Sequence, residues 1–146
     1  KMYELLLPVL FSRPWGAAMW AIYYKTLYPS RQPGDFSEYV AALRANLREQ
    51  GRLEALQCML KASKDPSEHR LPRVQAPALV LMGTKDPDFK SPQEEAEWVA
   101  SRLRCEYRMI EGAGHYPHAE MPDITGELLL SFLASVNQTE EAAHAT

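Results

Sequence analysis

Two short stretches carry the groups best suited to moving a proton. One reads Gly83-Thr84-Lys85-Asp86-Pro87-Asp88-Phe89, the other Gly112-Ala113-Gly114-His115-Tyr116-Pro117-His118. A carboxylate that accepts a hydrogen bond from one imidazole nitrogen fixes the ring tautomer. The other nitrogen is then left to act as a general base. Asp86 and His115 stand 29 positions apart, so they can share this work only if the chain folds the two stretches together. Asp88 is the rival acid because it lies in the same loop. Pro87 biases Asp86 towards an extended backbone, and the glycines at 112 and 114 allow the bend that presents His115. His118 reads as a packing or capping residue. A metal site built from Asp86, Asp88, His115 and His118 is the weaker alternative: Pro117 prevents the two histidines from sharing a helix face, and no further ligand type clusters with them. Cys58 falls in a predicted helix and Cys105 at the start of a predicted strand, at the end away from His115. Both read as small core residues, not as nucleophiles.

The elements that must position these residues change character near residue 72. Before it the pattern is helical. Pro14 can open a helix on which Phe11, Trp15, Met19 and Tyr23 recur at four-residue spacing, with Trp20, Tyr24 and Leu27 on a second apolar face, so cover is expected on two sides. Asp35 and Glu38 have capping-box spacing, and Phe36, Tyr39, Val40, Leu43 and Leu47 follow the i, i+3, i+4 rhythm up to a stop at Gly51. Leu53, Leu56, Met59 and Leu60 mark a further short helix that ends before Pro66. Nine of the fourteen aromatic residues lie at or before Tyr39. Most of that band is explained by helix packing, and the same surface would suit the wall of an apolar substrate pocket.

From Pro72 onward the order is strand, helix, strand, helix. Residues 78–82 form a continuous apolar run, as a buried parallel strand requires. Ser91-Pro92-Gln93-Glu94 combines an N-cap serine, a first-turn proline and a capping glutamate. The helix it opens turns Ala96, Val99, Ala100 and Leu103 inward. Residues 106–111 give a second strand, and a last helix from Pro122 is expected to bury Ile124, Leu128, Phe132 and Val136. The segment between the strands is long enough for a parallel crossover. Two parallel strands make a poor sheet by themselves, so this half reads as the end of a larger doubly wound α/β sheet. In such sheets, functional groups gather at the carboxyl ends of the strands, where both loops fall. The expected organisation is a helical region over 1–72, an α/β core segment over 73–136 and a flexible tail over 137–146.

The acid and histidine loops resemble those of the α/β-hydrolase fold, in that family's order. The corresponding positions are Gly83 and Asp86 after the first strand, then Gly114, His115 and Pro122 after the second. The helices before residue 72 resemble the cap that such enzymes insert ahead of the acid strand. The resemblance implies that Asp86 orients His115 in a nucleophile–Asp–His triad, and that neither cofactor nor metal is needed. It further implies hydrolysis of a small apolar ester-like substrate, or of an epoxide or alkyl halide if the nucleophile is aspartate. No Gly-x-Ser-x-Gly, Gly-x-Cys-x-Gly or Gly-x-Asp-x-Gly elbow occurs in the sequence. The chain therefore reads as the C-terminal half of a hydrolase, inactive alone. Its expected partner is the N-terminal half, or a second copy meeting the bare sheet edge. A non-catalytic binding module on the same scaffold is the alternative from another class.

Composition narrows the partners further. The 146 residues hold 16 Lys and Arg against 19 Asp and Glu, a net charge of -3, with no basic excess to neutralise nucleic-acid phosphates. Hydrophobic residues make up 46% and charged residues 24%, which excludes wholesale disorder. The apolar runs 5–11 and 14–24 are broken by Arg13 and fall short of the ~20 residues that cross a bilayer. The start lacks the basic region and cleavage site of a secretion signal. It is Lys1 and not methionine, which reads as a piece of something longer. Two cysteines are too few for a disulfide framework, and a reducing cytoplasm is the expected location.

Overall fold

In the computed structural model, residues 9–144 are described, with side chains through residue 138. The start of the apolar run 5–11 lies outside the described residues. The chain forms two compact units: one holds Lys1–Leu27 with Pro33–Pro66, the other holds Tyr28–Gln32 with Ser67–Thr146. The organisation expected from the sequence placed its boundary at residue 72 and assigned residues 28–32 to the helical region. Among the described residues, no helix is long and apolar enough to cross a membrane.

The first unit is helical: α1 (Gly16–Thr26), α2 (Phe36–Arg48) and α3 (Arg52–Lys61). Its core joins Ala17 of α1, Leu47 of α2, and Leu53 and Leu56 of α3, with Trp20, Leu43 and Leu60 packed around them. Helix α1 starts two residues later than the proline signal suggested. It buries small residues, Gly16, Ala17 and Ala21, together with Tyr24. Phe11 precedes it, and Trp15 stands half exposed at its N-cap. The second apolar face is covered, with Tyr24 and Leu27 buried and Trp20 packed on the core, while Ile22 outside that face is 58% exposed. A Cβ on Gly16 would meet the Phe11 carbonyl oxygen at 2.6 Å, so backbone contact takes the place of side-chain packing at that point.

The capping box of α2 is not made. Asp35 sits at φ -93°, ψ 7° with no side-chain cap bond, outside the extended geometry that lets an N-cap side chain reach back. The turn before the helix commits the backbone first, with the Phe36 N–H donating to the Pro33 carbonyl at 3.1 Å. At the other end, Arg13 donates to the carbonyls of Arg48 at 3.2 Å and Glu49 at 2.7 Å, a cation placed at the negative end of the helix dipole. Gly51 follows in the left-handed region at φ 83° and turns the chain into α3.

The second unit is built on two parallel strands, β1 (Leu79–Gly83) and β2 (Glu106–Ile110), in a register that pairs Leu79 with Glu106 and Gly83 with Ile110. They are joined by α4 (Pro92–Leu103) and followed by the short α5 (Pro117–Glu120) and by α6 (Pro122–His144). Here the cap works: Ser91 is extended and its hydroxyl accepts from the Glu94 N–H at 3.4 Å. Helix α4 packs on both strands, with Ala96 and Ala100 buried. The Tyr107 hydroxyl of β2 donates to Glu97 at 2.8 Å.

Strand β1 is only half-buried over its first four residues, and β2 is its only strand neighbour among the described residues. Helix α6 also departs from expectation. Leu128, Phe132 and Val136 are half-buried, but Ile124 is 51% exposed, in line with Leu130 at 69% and Leu133 at 54%. The helix continues to His144, past the position where a tail was expected to begin.

The strands' carboxyl ends approach very closely. A Cβ on Gly83 would collide with the carbonyl groups of Ala113 and Gly114. Gly83→Ala is therefore expected to destabilise the chain by about 2 kcal/mol, as a side chain forced into a packed site does. Gly34→Ala, where a Cβ meets nothing within 4 Å, should change stability by less than ~0.5 kcal/mol. Urea denaturation of the two variants measures the difference.

Candidate active site

Three hydrogen bonds stitch the loop after β1 to the loop after β2. The Thr84 N–H donates to the Ile110 carbonyl at 3.1 Å, the Lys85 N–H to the Ala113 carbonyl at 2.9 Å, and the Gly112 N–H to the Thr84 hydroxyl at 2.8 Å. Gly112 takes φ 79°, the left-handed conformation that turns the second loop back over the first. Both loops thus meet at the carboxyl edge of the sheet.

This places Asp86 and His115 in contact. His115 Nδ1 lies 2.9 Å from Asp86 Oδ2. The Asp86 side chain is 3% exposed and that of His115 is 32%. The second carboxylate oxygen of Asp86 accepts from the Asp88 N–H at 3.0 Å, so its plane is held from two directions. A carboxylate facing Nδ1 makes that nitrogen the donor and leaves Nε2 as the unprotonated one. Tyr116 sets the ring from the side, edge to face at 4.9 Å.

Asp88 lies further off, its Oδ2 3.6 Å from the same Nδ1, beyond good hydrogen-bond length. His118 is exposed on α5 and meets the Tyr116 ring at 5.9 Å. Asp86, Asp88 and His115 have ligand atoms within 4.8 Å of one another. Each Asp86 oxygen takes one hydrogen bond, from the histidine ring at Oδ2 and from the Asp88 N–H at Oδ1. Cys58 is exposed and Cys105 half-buried, and burial pushes the Cys105 thiol up against the weaker opposing pull of a Val80 backbone hydrogen bond.

Two contributors escape a reading of the sequence. Thr84 is the hydroxyl that fastens the histidine loop, yet it stands in a motif position open to any residue. Glu120 is 0% exposed and accepts from Gly114, the residue before His115. A glutamate in a short polar stretch reads by default as a surface residue, and nothing local distinguishes this one.

The sequence matches the model of the alpha/beta hydrolase family over residues 3–127, and the chain belongs to that family. No curated protein matches it. Among solved structures, one described as Est816, an N-acyl homoserine lactone degrading enzyme, is similar with a TM-score of 0.60 at 20% sequence identity. The alignment covers 87% of this chain and 51% of that one, so this chain spans about half the length of its structural relative. At that identity the likeness carries the fold.

The raised Cys105 thiol should remain protonated and slow to react at mildly alkaline pH. Iodoacetamide at pH 8 is expected to label the exposed Cys58 first, as peptide mass spectrometry of a time course would show. Faster labelling at Cys105 would mean that its surroundings activate the thiol.

Proposed function

We propose that this α/β-hydrolase chain supplies the acid and base of a nucleophile–Asp–His triad acting on a small apolar ester-like substrate. The observation that carries the reading is the 2.9 Å contact between the buried Asp86 carboxylate and His115 Nδ1, at the sheet edge where such enzymes do their chemistry. His115 Nε2 takes the proton of the nucleophile as it attacks the ester carbonyl carbon. The imidazolium is stabilised by Asp86 and passes that proton to the departing alkoxide. Water then attacks the acyl group, with Nε2 again accepting a proton and returning it to the nucleophile. The absence of a nucleophile elbow from these residues supports a nucleophile carried by polypeptide outside them.

Asp86→Asn, in a protein that pairs this chain with a nucleophile, is expected to lower kcat on the order of 10³–10⁴-fold, because an amide stabilises the wrong tautomer. Asp88→Asn should cost far less, and reversed magnitudes would move the acid role to Asp88. His115→Ala should abolish ester turnover. If instead a stable alkyl-enzyme accumulates, visible by mass spectrometry of the quenched reaction, the nucleophile is aspartate and the substrate an epoxide or halide.

The same reading assigns a partner. The edge of β1 that has no strand neighbour among the described residues and the exposed leucines of α6 are the surfaces that the rest of a hydrolase sheet would cover, and an uncovered apolar strand edge is a template for association. The 146-residue chain alone is expected to elute as dimers or larger species, to melt broadly and to leave simple esters intact. Addition of the missing half should sharpen the melt through binding to the folded form. A monomer with a sharp cooperative melt in size-exclusion and thermal measurements would count against a missing half.

A further inference from the structure

Glu120 is fully buried, and each of its carboxylate oxygens is bound by backbone. Oε2 accepts from the Gly114 N–H at 2.6 Å. Oε1 accepts from the N–H groups of Ser30 at 2.6 Å and Arg31 at 3.0 Å. A buried carboxylate is costly unless its lone pairs are met, and an ionised one is acceptor-only. Three backbone donors satisfy that requirement. They come from two stretches of chain far apart in sequence. One is the peptide immediately before His115; the other is Tyr28–Gln32, which lies between α1 and α2 in sequence but belongs to the second unit.

Further links reinforce the join. The Ser30 hydroxyl donates to the Gly112 carbonyl at 2.5 Å, and the Tyr28 ring stacks on Tyr116 at 5.3 Å. Tyr116 in turn abuts His115. The segment 28–32 thus reaches the histidine loop through Gly112, Gly114 and Tyr116, on both sides of His115. Glu120 itself is held in α5, where its N–H bonds the Tyr116 carbonyl at 2.9 Å.

We propose that Glu120 is a positioning residue for His115: its carboxylate clamps the Gly114 peptide to the segment Tyr28–Gln32 and so holds the imidazole at hydrogen-bond distance from Asp86. The proposal rests on the reading of His115 as the base. It adds that the residue and a five-residue segment remote in sequence from both loops are part of the device that keeps the base in register. A displacement of the loop by about 1 Å would carry Nδ1 beyond hydrogen-bond range of Asp86, and misplacements of that size cost about 10²-fold in rate.

Glu120→Gln is the discriminating variant because it preserves shape. Its amide nitrogen must face either the Gly114 N–H or the Ser30 and Arg31 pair, donor against donor, whichever way the group is turned. The readout is the tautomer of His115, from side-chain ¹⁵N shifts above pH 8 with this chain labelled and paired with the nucleophile-bearing half. The wild-type ring should be protonated on Nδ1. In Glu120→Gln, with helix content retained by circular dichroism, a large share should move to the Nε2-protonated form. In the complete enzyme kcat should fall about 10²-fold with KM little changed. When combined with Asp86→Asn, the variant should add little further loss, since the contact it protects is already gone.

An unchanged tautomer in a folded Glu120→Gln chain would overturn the clamp while leaving the Asp86–His115 pair standing. A wild-type ring protonated on Nε2 would instead overturn the pair, and the proposal with it. Should Glu120→Gln fail to fold, amide hydrogen exchange of the wild-type chain in the same pairing decides: the Ser30, Arg31 and Gly114 amides must be slowed together. Rapid exchange at Ser30 and Arg31 beside a protected Gly114 would overturn the clamp.

Discussion

The carbonyl groups of Ala113 and Gly114 occupy the space where a side chain on residue 83 would have to go, and this approach sets the distance between the two loops of the site. With the backbones this near, main-chain groups of one loop can bond those of the other. Lys85 does so with Ala113 and Thr84 with Ile110, and the Thr84 side-chain hydroxyl adds a bond from the Gly112 N–H. Asp86 and His115 are then brought into contact by backbone geometry, before any attraction between their side chains is counted. A larger residue at 83 would wedge the loops apart, and the pair would have to find each other through flexible segments. The glycine that opens the acid motif is therefore a packing requirement that acts at the histidine.

Much of this was legible in the sequence because the signals are local. A continuous apolar run from 78 to 82, a serine–proline–glutamate cap and a second run from 106 specify a strand–helix–strand unit. The parallel pairing then forces both following loops to the same edge. The cap at Ser91 was readable because its extended backbone leaves the side chain free to reach the Glu94 N–H. Asp35 has the same spacing to a glutamate and makes no cap, since the Pro33 turn fixes its backbone. Ile124 on α6 was misjudged for a different reason. Periodicity shows which residues share a stripe and says nothing of whether a neighbour exists to cover it. Glu120 and the segment 28–32 were invisible because their role depends on contacts about 90 positions apart.

The two acids of the first loop show how environment separates chemically identical groups. Asp86 has its side chain 97% removed from solvent and is bound at both oxygens, so its orientation is fixed and its field on the imidazole is little screened. Asp88 is one-third exposed, and its backbone N–H serves its neighbour. In water the difference between 2.9 and 3.6 Å would matter little to a charge interaction. In a partly dry site it separates a directional hydrogen bond from a screened Coulombic contact.

The contact between Asp86 and His115 is made although β1 has a single strand neighbour among the described residues. The contacts that set Asp86 and His115 run between the two loops and through α5, and all lie within the second unit. The half-buried β1 and the exposed leucines of α6 belong to a separate account, the covering of apolar surface, which determines whether the unit is stable and not how the pair is arranged. The groove among Ala78, Leu79, Glu106, Arg108 and Phe132 lies at the amino ends of the strands, away from the acid and base, and belongs to that second account. The geometry of the Asp86–His115 contact and the stability of its scaffold therefore rest on different parts of the chain. Supplying a neighbour for β1 would strengthen the scaffold without having to build the Asp86–His115 contact, because the bonds that hold the two loops together already lie within the second unit.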